Sequence, residues 1–160
     1  MFRIGIGTDI HRLETGRPLT IGGVDIDSPI GAVGHSDADV LPHAITDAFL
    51  GAVAAGDIGM HFSDADERWK NADSLTFLRF AVAEASAKGY RPVNIDATVD
   101  LQTPKLRPYI EKMRANIAAA AGIALADVSV KANTGENVGP VGESAAVTAQ
   151  AVVLLQAAEI

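Results

Sequence analysis

The chain begins with MFRIGIGTDIH (residues 1–11), in which Phe2, Ile4 and Ile6 alternate with small or charged residues. Alternation with a period of two predicts a β-strand that runs towards His11. Side chains two positions apart on a strand point to the same face of the sheet, so Asp9 and His11 are expected side by side. The first strand therefore carries two groups that are able to bind a metal ion.

Helical and extended patterns alternate along the rest of the chain. A strand is expected at 19–26, with a turn or bulge at Gly22-Gly23, and a helix at 40–55, with Pro42 in its first turn. Further helices are expected at 74–88 and 104–122, strands at 93–101 and 128–134, and a loop at 56–71. Residues 145–155 favour a strand, although their alanine content leaves a helix open.

This order of elements predicts one α/β (α+β) domain over residues 1–160, with a mixed β-sheet covered by helices on one face. The uncovered face would need a partner, which favours an oligomer.

The composition excludes several classes of protein. The net charge is −7 and no basic cluster occurs, so a nucleic-acid partner is not expected. No apolar run approaches the roughly 20 residues that cross a bilayer, so a membrane protein is not expected. The chain has no cysteine, which excludes disulfides and thiolate ligands. The N-terminus lacks a charged-then-apolar leader, and a cytoplasmic location is expected.

Asp9, His11 and His43 form the candidate metal site. His43 lies near the start of the predicted helix at 40–55 and could complete a set of two histidines and one carboxylate. Three protein ligands with an open fourth position are typical of a catalytic zinc ion. The alternative is an isolated Asp-x-His pair beside an unrelated helical histidine.

Polar residues precede and follow His43. Ser36 or Asp39 could cap the helix, whose N-terminus could also receive an anion, but capping does not account for His35. Asp47 lies one turn beyond His43, where it could orient the imidazole ring or simply face solvent.

Two further regions are candidates for substrate binding. The acidic, glycine-flanked loop at 56–66 could hold sugar hydroxyls, or calcium, or could be an ordinary set of turns. Residues 103–105 and 131–136 offer lysine, hydroxyl and backbone donors beside Glu136, which would suit a nucleotide phosphate with a divalent ion; ordinary caps and turns are the alternative. Neither a P-loop nor a Rossmann glycine pattern is present.

Taken together, these segments resemble the 2-C-methyl-D-erythritol 2,4-cyclodiphosphate synthases of the non-mevalonate isoprenoid pathway. The resemblance runs nearly from end to end, through RIGIGTDIHRL (3–13), LTIGG (19–23), GHSDADVLPHAITDAFLGA (34–52), GDIGMHFSD (56–64), ADSL (72–75), LQTPKLRPYI (101–110) and VKANTGEN (130–137). The block from His35 to Asp47, followed by Gly-Asp-Ile-Gly, is highly specific.

The resemblance implies a homotrimer with each active site between two subunits, and a role for each matching residue. Zinc would be bound by Asp9, His11 and His43, and His35 and Thr134 would stabilise the transition state. The substrate-binding residues on the metal side would be Ser36, Asp47, Asp57, Ile58, Gly59, Phe62, Ser63, Asp64, Ala65 and Asp66, the last five forming a lid-like loop. The cytidine pocket of the neighbouring subunit would comprise Leu101, Gln102, Thr103, Pro104, Lys105, Leu106, Arg107 and Asn133, with Glu136 on magnesium or manganese.

The implied reaction converts 4-diphosphocytidyl-2-C-methyl-D-erythritol 2-phosphate to the 2,4-cyclodiphosphate and CMP. Pro140 and Glu143 stand where the family often has an aromatic residue and an arginine, so the resemblance does not extend to isoprenoid diphosphates in the trimer's central cavity. A zinc phosphoesterase that uses bound water is an alternative. A non-enzymatic anion-binding or scaffold trimer is another, but its structural zinc would need a fourth ligand, and His61, the remaining histidine, is expected in the loop.

Overall fold

A computed structural model of the protein describes residues 1–158. Its strands are β1 (Phe2–Thr15), β2 (Leu19–Ile21), β3 (Val24–Ile26), β4 (Ile30–Ala32), β5 (Tyr90–Asp100), β6 (Val128–Asn133) and β7 (Ala146–Ala157). Its α-helices are α1 (Val40–Ala52), α2 (Ile58–His61), α3 (Ser74–Ala87), α4 (Ile110–Ala121) and α5 (Gly139–Gly142). Within these residues, no helix is both long enough and apolar enough to cross a membrane.

Five strands form one mixed sheet in the order β4-β1-β7-β5-β6, and β2 and β3 form a separate hairpin. The pairs β1·β4, β1·β7 and β5·β7 are antiparallel, whereas β5 and β6 are parallel and are connected through α4. The mixed sheet expected from the sequence is confirmed, and the strand expected at 145–155 is β7 rather than a helix.

The helices cover one face of the sheet, as expected. The buried positions of β7 (Ala149, Ala151, Val153 and Leu155) alternate with residues that face away from the helices. On β1 the helix-facing positions include Gly5 and Gly7, which bring the strand against the backbone of α1. The large apolar residues of β1 point the other way: Phe2, Ile4, Ile6 and Ile10 are each more than 60% exposed. This leaves an apolar sheet face without a covering layer.

Asp39 joins α1 to the β2–β3 hairpin. Its carboxylate accepts hydrogen bonds from the Leu41 N–H (3.2 Å) at the start of α1 and from the N–H groups of Gly22 (2.8 Å) and Gly23 (2.6 Å). Asp39, rather than Ser36, is therefore the cap of α1, and Pro42 lies in the first turn as expected.

Some boundaries differ from those expected. The helix expected at 104–122 begins only at Ile110, after a single 3-10 turn at Arg107–Tyr109. Pro108 explains the difference, because a helix that began at Pro104 would need an N–H at position 108. The strand expected at 19–26 is two strands around the Gly22-Gly23 turn, and the loop expected at 56–71 contains α2 and a 3-10 turn at Glu67–Trp69.

Candidate metal centre and active site

Asp9, His11 and His43 meet on the helix-covered side of the sheet. Asp9 and His11 point the same way from β1, as the period of two predicts, and His43 faces them from the first turns of α1. Asp9 Oδ2 lies 3.0 Å from both His11 Nε2 and His43 Nδ1, and these two nitrogens are 3.2 Å apart. The side chains are 11–25% exposed, so the cluster is sheltered but open on one side. In the described part of the chain, this is the one group of three or more such side chains placed to bind a metal ion.

In His11 and His43, the outer ring nitrogen, which points away from Asp9, already has a hydrogen-bond partner. His11 Nδ1–H donates to the carbonyl oxygen of Val33 (3.1 Å), and His43 Nε2 lies 2.8 Å from Ser74 Oγ. A neutral imidazole carries only one N–H, so the inner nitrogens present lone pairs to the Asp9 carboxylate. Three acceptors that converge in this way need a cation between them.

The spacing of the three ligand atoms fits a tetrahedral metal ion. A tetrahedral zinc site with metal–ligand distances of 2.0–2.1 Å separates its ligands by about 3.3 Å. The separations in this chain, 3.0–3.2 Å, are close to that value before any ion is placed. Within residues 1–158 no fourth side chain completes the set. The donor set therefore fits a metal ion with an open position.

The cluster also changes the pKa values of Asp9 and His11. Burial raises the pKa of Asp9, but hydrogen bonds and charge from His11 and His43 outweigh this effect and lower it to about 2. Burial lowers the pKa of His11, but the Asp9 carboxylate and the Val33 carbonyl outweigh that effect and raise it. Asp9 is therefore ionised at neutral pH and attracts either a proton or a metal ion to His11.

The cluster of Asp9, His11 and His43, the metal cluster, opens into a pocket of about 480 Å³, the metal-side pocket. It is lined by Asp9, His11, Gly34, His35, Ser36, His43, Ile58, Gly59, Phe62, Ser63, Asp64, Trp69 and Phe77. The structure therefore brings together most of the residues expected on this side of the site. Asp47, Asp57, Ala65 and Asp66 are not part of the lining.

His35 and Ser36 are held by the loop that precedes α3. His35 Nε2–H donates to the carbonyl oxygen of Asp66 (2.9 Å), and the His35 carbonyl accepts from the Asn71 N–H (2.9 Å). Ser36 Oγ lies 3.2 Å from His43 Nε2. The Ser36 side chain thus reaches the edge of the Asp9–His11–His43 cluster, and His35 lines the same pocket while tied to the loop before α3.

Asp47 takes neither of the two roles that its spacing from His43 suggested, and its assignment to substrate binding stays a prediction. Its carboxylate accepts from the Ile58 N–H (2.7 Å) rather than from His43, and it does not simply face solvent. Burial raises the pKa of Asp47, and the Ile58 N–H partly offsets this. Asp57 caps the same short helix by accepting from the Met60 N–H (3.0 Å). The two carboxylates fix α2, which carries Ile58 and Gly59 into the pocket.

Aromatic residues form the far wall of the metal-side pocket. The Phe62 ring lies 4.3 Å from that of Phe77 and 5.0 Å from those of Trp69 and Phe80, measured between centroids. Phe62 is therefore anchored, while Ser63 and Asp64 extend from it along the pocket. Asp66 instead pairs with Arg68 (2.6 Å) on the surface.

A second, smaller pocket lies across the sheet from the first, at the carboxyl ends of β5 and β6. It measures about 150 Å³ and is lined by Leu101, Pro104, Lys105, Leu106, Arg107, Ala132, Asn133 and Thr134. This second pocket gathers most of the residues expected to bind cytidine. Gln102, Thr103 and Glu136 lie outside its lining.

Gln102 and Glu136 organise the rim of the second pocket. The Gln102 side chain accepts from the Gly135 N–H (3.1 Å) and donates to Asn137 Oδ1 (3.0 Å), which joins the two segments that form the pocket. Thr134 Oγ–H donates to the Glu136 carboxylate (2.5 Å), which is exposed. The carboxylate is free to meet a ligand from outside.

The two pockets do not meet within one chain. Asp9 on β1 is aligned across the sheet with Ala132 on β6, with β7 and β5 between them. Three strand spacings correspond to about 14 Å. The two pockets share no lining residue.

Ser74 and Asp37 belong to the site although neither is among the residues predicted from the sequence. Ser74 is fully buried at the start of α3, its N–H donates to Asp37 (3.0 Å), and its hydroxyl forms a short hydrogen bond to the same carboxylate. Trp69 and Phe77 were also missed as pocket residues. No local pattern marks them for this role: Asp37 is one of several polar residues before α1, and Ser74, Trp69 and Phe77 are ordinary residues of α3 and of the loop before it.

The fold and the site together define an α/β protein with a potential metal centre that opens into a polar and aromatic pocket. The family model of the YgbB family matches residues 2–156, and the chain belongs to this family. It is 56% identical over 155 residues to the 2-C-methyl-D-erythritol 2,4-cyclodiphosphate synthase of Chromobacterium violaceum, covering 97% of this chain and 98% of that protein. The synthase of Geobacillus kaustophilus is 56% identical over 156 residues, covering 98% and 99% respectively.

A solved structure of a 2C-methyl-D-erythritol-2,4-cyclodiphosphate synthase in its CDP-bound form has the same fold. It superposes with a TM-score of 0.89 at 39% identity, covering 96% of this chain and all of that one. The resemblance seen in the sequence is therefore confirmed.

Proposed function

We propose that the protein is a cyclodiphosphate synthase, a phosphorus–oxygen lyase that converts 4-diphosphocytidyl-2-C-methyl-D-erythritol 2-phosphate to 2-C-methyl-D-erythritol 2,4-cyclodiphosphate and CMP. The observation that carries the proposal is the convergence of Asp9, His11 and His43 on an open position inside the metal-side pocket. Family membership and the CDP-bound relative support the choice of substrate.

The reaction depends more on the alignment of the two reacting phosphates than on a general base. An oxygen of the substrate's 2-phosphate forms a bond to the β-phosphorus, and the bond from that phosphorus to the oxygen of CMP breaks, so CMP leaves with the electron pair. The attacking oxygen is already an anion, and no proton must be removed from it. What the protein must supply is in-line placement and compensation of charge on mutually repelling phosphates.

The metal-side pocket supplies part of both requirements. Asp9, His11 and His43 would hold zinc, which when bound acts as a Lewis acid that withdraws charge from phosphate oxygens. His35 and Ser36 line the same pocket and offer polar groups to the phosphates. Ile58 and Gly59, positioned by Asp47 and Asp57, form the wall that would receive the methylerythritol part.

The second pocket would receive cytidine from a neighbouring subunit. Lys105 and Arg107 lie there and would balance phosphate charge in a chain whose net charge is −7. The exposed Glu136 carboxylate would hold magnesium or manganese against the diphosphate, with Thr134 as its neighbour.

A homotrimer would unite the two half-sites. Each chain carries one metal-side pocket and one second pocket about 14 Å apart across the sheet, and the uncovered apolar face of β1 offers a surface for association. Packing three such faces together would bury the exposed isoleucines and would bring the metal-side pocket of one chain to the second pocket of the next. The cytoplasmic location expected from the sequence stays a prediction.

Phosphorus NMR of the purified protein with the proposed substrate, zinc and magnesium tests the activity. We expect a cyclic diphosphate and free CMP in equal amounts, and neither product from an Asp9→Ala variant. Linear phosphate products would instead identify a hydrolase. Unchanged substrate with the folded, metal-loaded wild-type protein would refute the proposal.

A further inference from the structure

The metal cluster rests on a chain of hydrogen bonds that begins at Asp37. The Asp37 carboxylate accepts from both the N–H and the hydroxyl of Ser74, and Ser74 Oγ lies 2.8 Å from His43 Nε2. Because the hydroxyl proton of Ser74 points to Asp37, its oxygen has only lone pairs to offer to His43. The Nε2 of His43 must therefore be the protonated nitrogen, and Nδ1 is left as the lone-pair donor towards Asp9 and His11.

The hydrogen bonds from Asp37 through Ser74 oppose the other tautomer of His43, in which Nδ1 carries the proton. The Asp9 carboxylate, 3.0 Å from His43 Nδ1, would by itself favour a proton on that nitrogen, which would block its use as a ligand. A buried acceptor on the opposite side of the ring favours the other tautomer and also fixes the ring plane. Ser74 is fully buried, so water cannot readily replace it in this role.

Ser36 is a weaker candidate for the same task. Its hydroxyl oxygen is 3.2 Å from His43 Nε2, and it also accepts from the Ala38 N–H (3.3 Å). No carboxylate orients its proton, so it can donate or accept. Ser36 therefore makes a matched control, because it places a second serine hydroxyl beside the same nitrogen.

We propose that Ser74, oriented by Asp37, is a positioning residue that sets the tautomer and orientation of His43 for metal binding. The inference rests on the proposed metal site. It extends the site to the N-terminus of α3, which also carries Phe77 into the metal-side pocket. Metal occupancy and the position of α3 are then coupled through one buried hydroxyl.

Zinc affinity measured by competition with a chromophoric chelator tests the inference on the full-length protein. We expect Ser74→Ala to weaken zinc binding by about 10- to 100-fold, as for other partners of metal-bound histidines. Asp37→Asn, which leaves the Ser74 hydroxyl in place, should weaken binding less, and Ser36→Ala should change it by less than about threefold.

Two further readouts separate positioning from a loss of general stability. Thermal unfolding in the presence of a chelator measures the effect of each variant on the metal-free fold. In the zinc-loaded wild-type protein, labelled with 15N at histidine, the His43 Nε2–H should be slow to exchange with water, and Ser74→Ala should abolish this protection. The wild-type measurement requires no variant to fold.

The outcomes are distinct from those that test the proposed function. If the wild-type protein binds no zinc, the metal site itself is wrong. If it binds one zinc ion per chain but Ser74→Ala binds it equally well, or if the wild-type His43 Nε2–H exchanges freely, the positioning role is refuted and the cyclase proposal stands.

Discussion

Replacing Gly7 with alanine should disturb the contact between β1 and α1 that holds the metal ligands together. A Cβ atom built on Gly7 would lie 2.0 Å from the carbonyl oxygen of Ala44 and 2.7 Å from the backbone nitrogen of Ala48. Both atoms belong to the backbone of α1, so no side chain can rotate away. Ordinary contact requires more than about 3 Å, so strand and helix must separate by about 1 Å.

The expected effect follows from this displacement. Overpacking of this kind costs about 1–3 kcal/mol, which for a domain of this size corresponds to a decrease in Tm of about 2–12 °C. His43 directly precedes Ala44, so the separation would carry it away from Asp9 and His11. Ligand sets must be held to within about 0.5 Å, and we therefore expect zinc affinity to fall by about tenfold or more.

Gly51→Ala on the same helix is the control. The nearest atom to its added Cβ would be the Ile6 carbonyl oxygen, 3.9 Å away, and alanine in place of an α-helical glycine should raise stability by about 0.5–1 kcal/mol. Thermal unfolding at matched protein concentration, with chelator and with zinc, measures both effects. A Gly7→Ala protein with the Tm and zinc affinity of the wild type would refute this account of the site.

Three further predictions concern pH, the second pocket and assembly. Because the pKa of His11 is raised, protons compete with metal below that pKa; zinc affinity should fall as the pH is lowered through it, by about tenfold per pH unit below it, and competition titrations that show no pH dependence would contradict this. Gln102→Ala removes the two side-chain hydrogen bonds that tie Gln102 to Gly135 and Asn137 at the rim of the second pocket and should raise KM by about tenfold with a smaller change in kcat, with Gln102→Glu intermediate; steady-state kinetics that show an effect on kcat alone would argue against this role. Ile4→Lys on the uncovered face should yield monomers in sedimentation velocity, whereas Ala83→Lys on the exposed side of α3 should not; an unchanged assembly in the Ile4 variant would place the interface elsewhere.

The directions of two candidate metal ligands, Asp9 and His11, could be predicted from the sequence because local geometry determines them. Asp9 and His11 share a face through the two-residue period of β1, and His43 follows the capped start of α1 closely enough to face them. The contact between His43 and these two residues depends in addition on the packing of α1 against β1 at Gly5 and Gly7. Local geometry also placed Pro42 in the first turn.

The partners of the ligands could not be predicted in this way. Ser74 is 31 residues from His43 in the sequence, and nothing distinguishes it from any serine at a helix start. Asp47 was assigned by its spacing from His43 along α1, yet its carboxylate is satisfied by the N–H of Ile58, 11 residues later. In both cases tertiary packing of one segment against another decided the contact.

Short elements were missed for a related reason. β4 has only three residues, too few to show alternation, and it exists because it pairs with the end of β1. The late start of α4 could have been predicted, because Pro108 has no N–H to donate to a backbone hydrogen bond in a helix that begins at Pro104.

A complementation assay tests the central claim, a cyclase site built from two chains, most directly. Asp9→Ala removes a proposed metal ligand from the metal-side pocket. Glu136→Ala leaves that pocket intact and removes the carboxylate at the rim of the second pocket. Neither variant alone should form cyclic diphosphate in the phosphorus NMR assay. When the two are unfolded, mixed in equal amounts and refolded together, random assembly of trimers places an intact metal-side pocket against an intact second pocket in about one quarter of the sites. We expect about a quarter of the wild-type rate of cyclic diphosphate and CMP formation from the mixture. A mixture that forms mixed trimers but remains as inactive as its components would contradict the account.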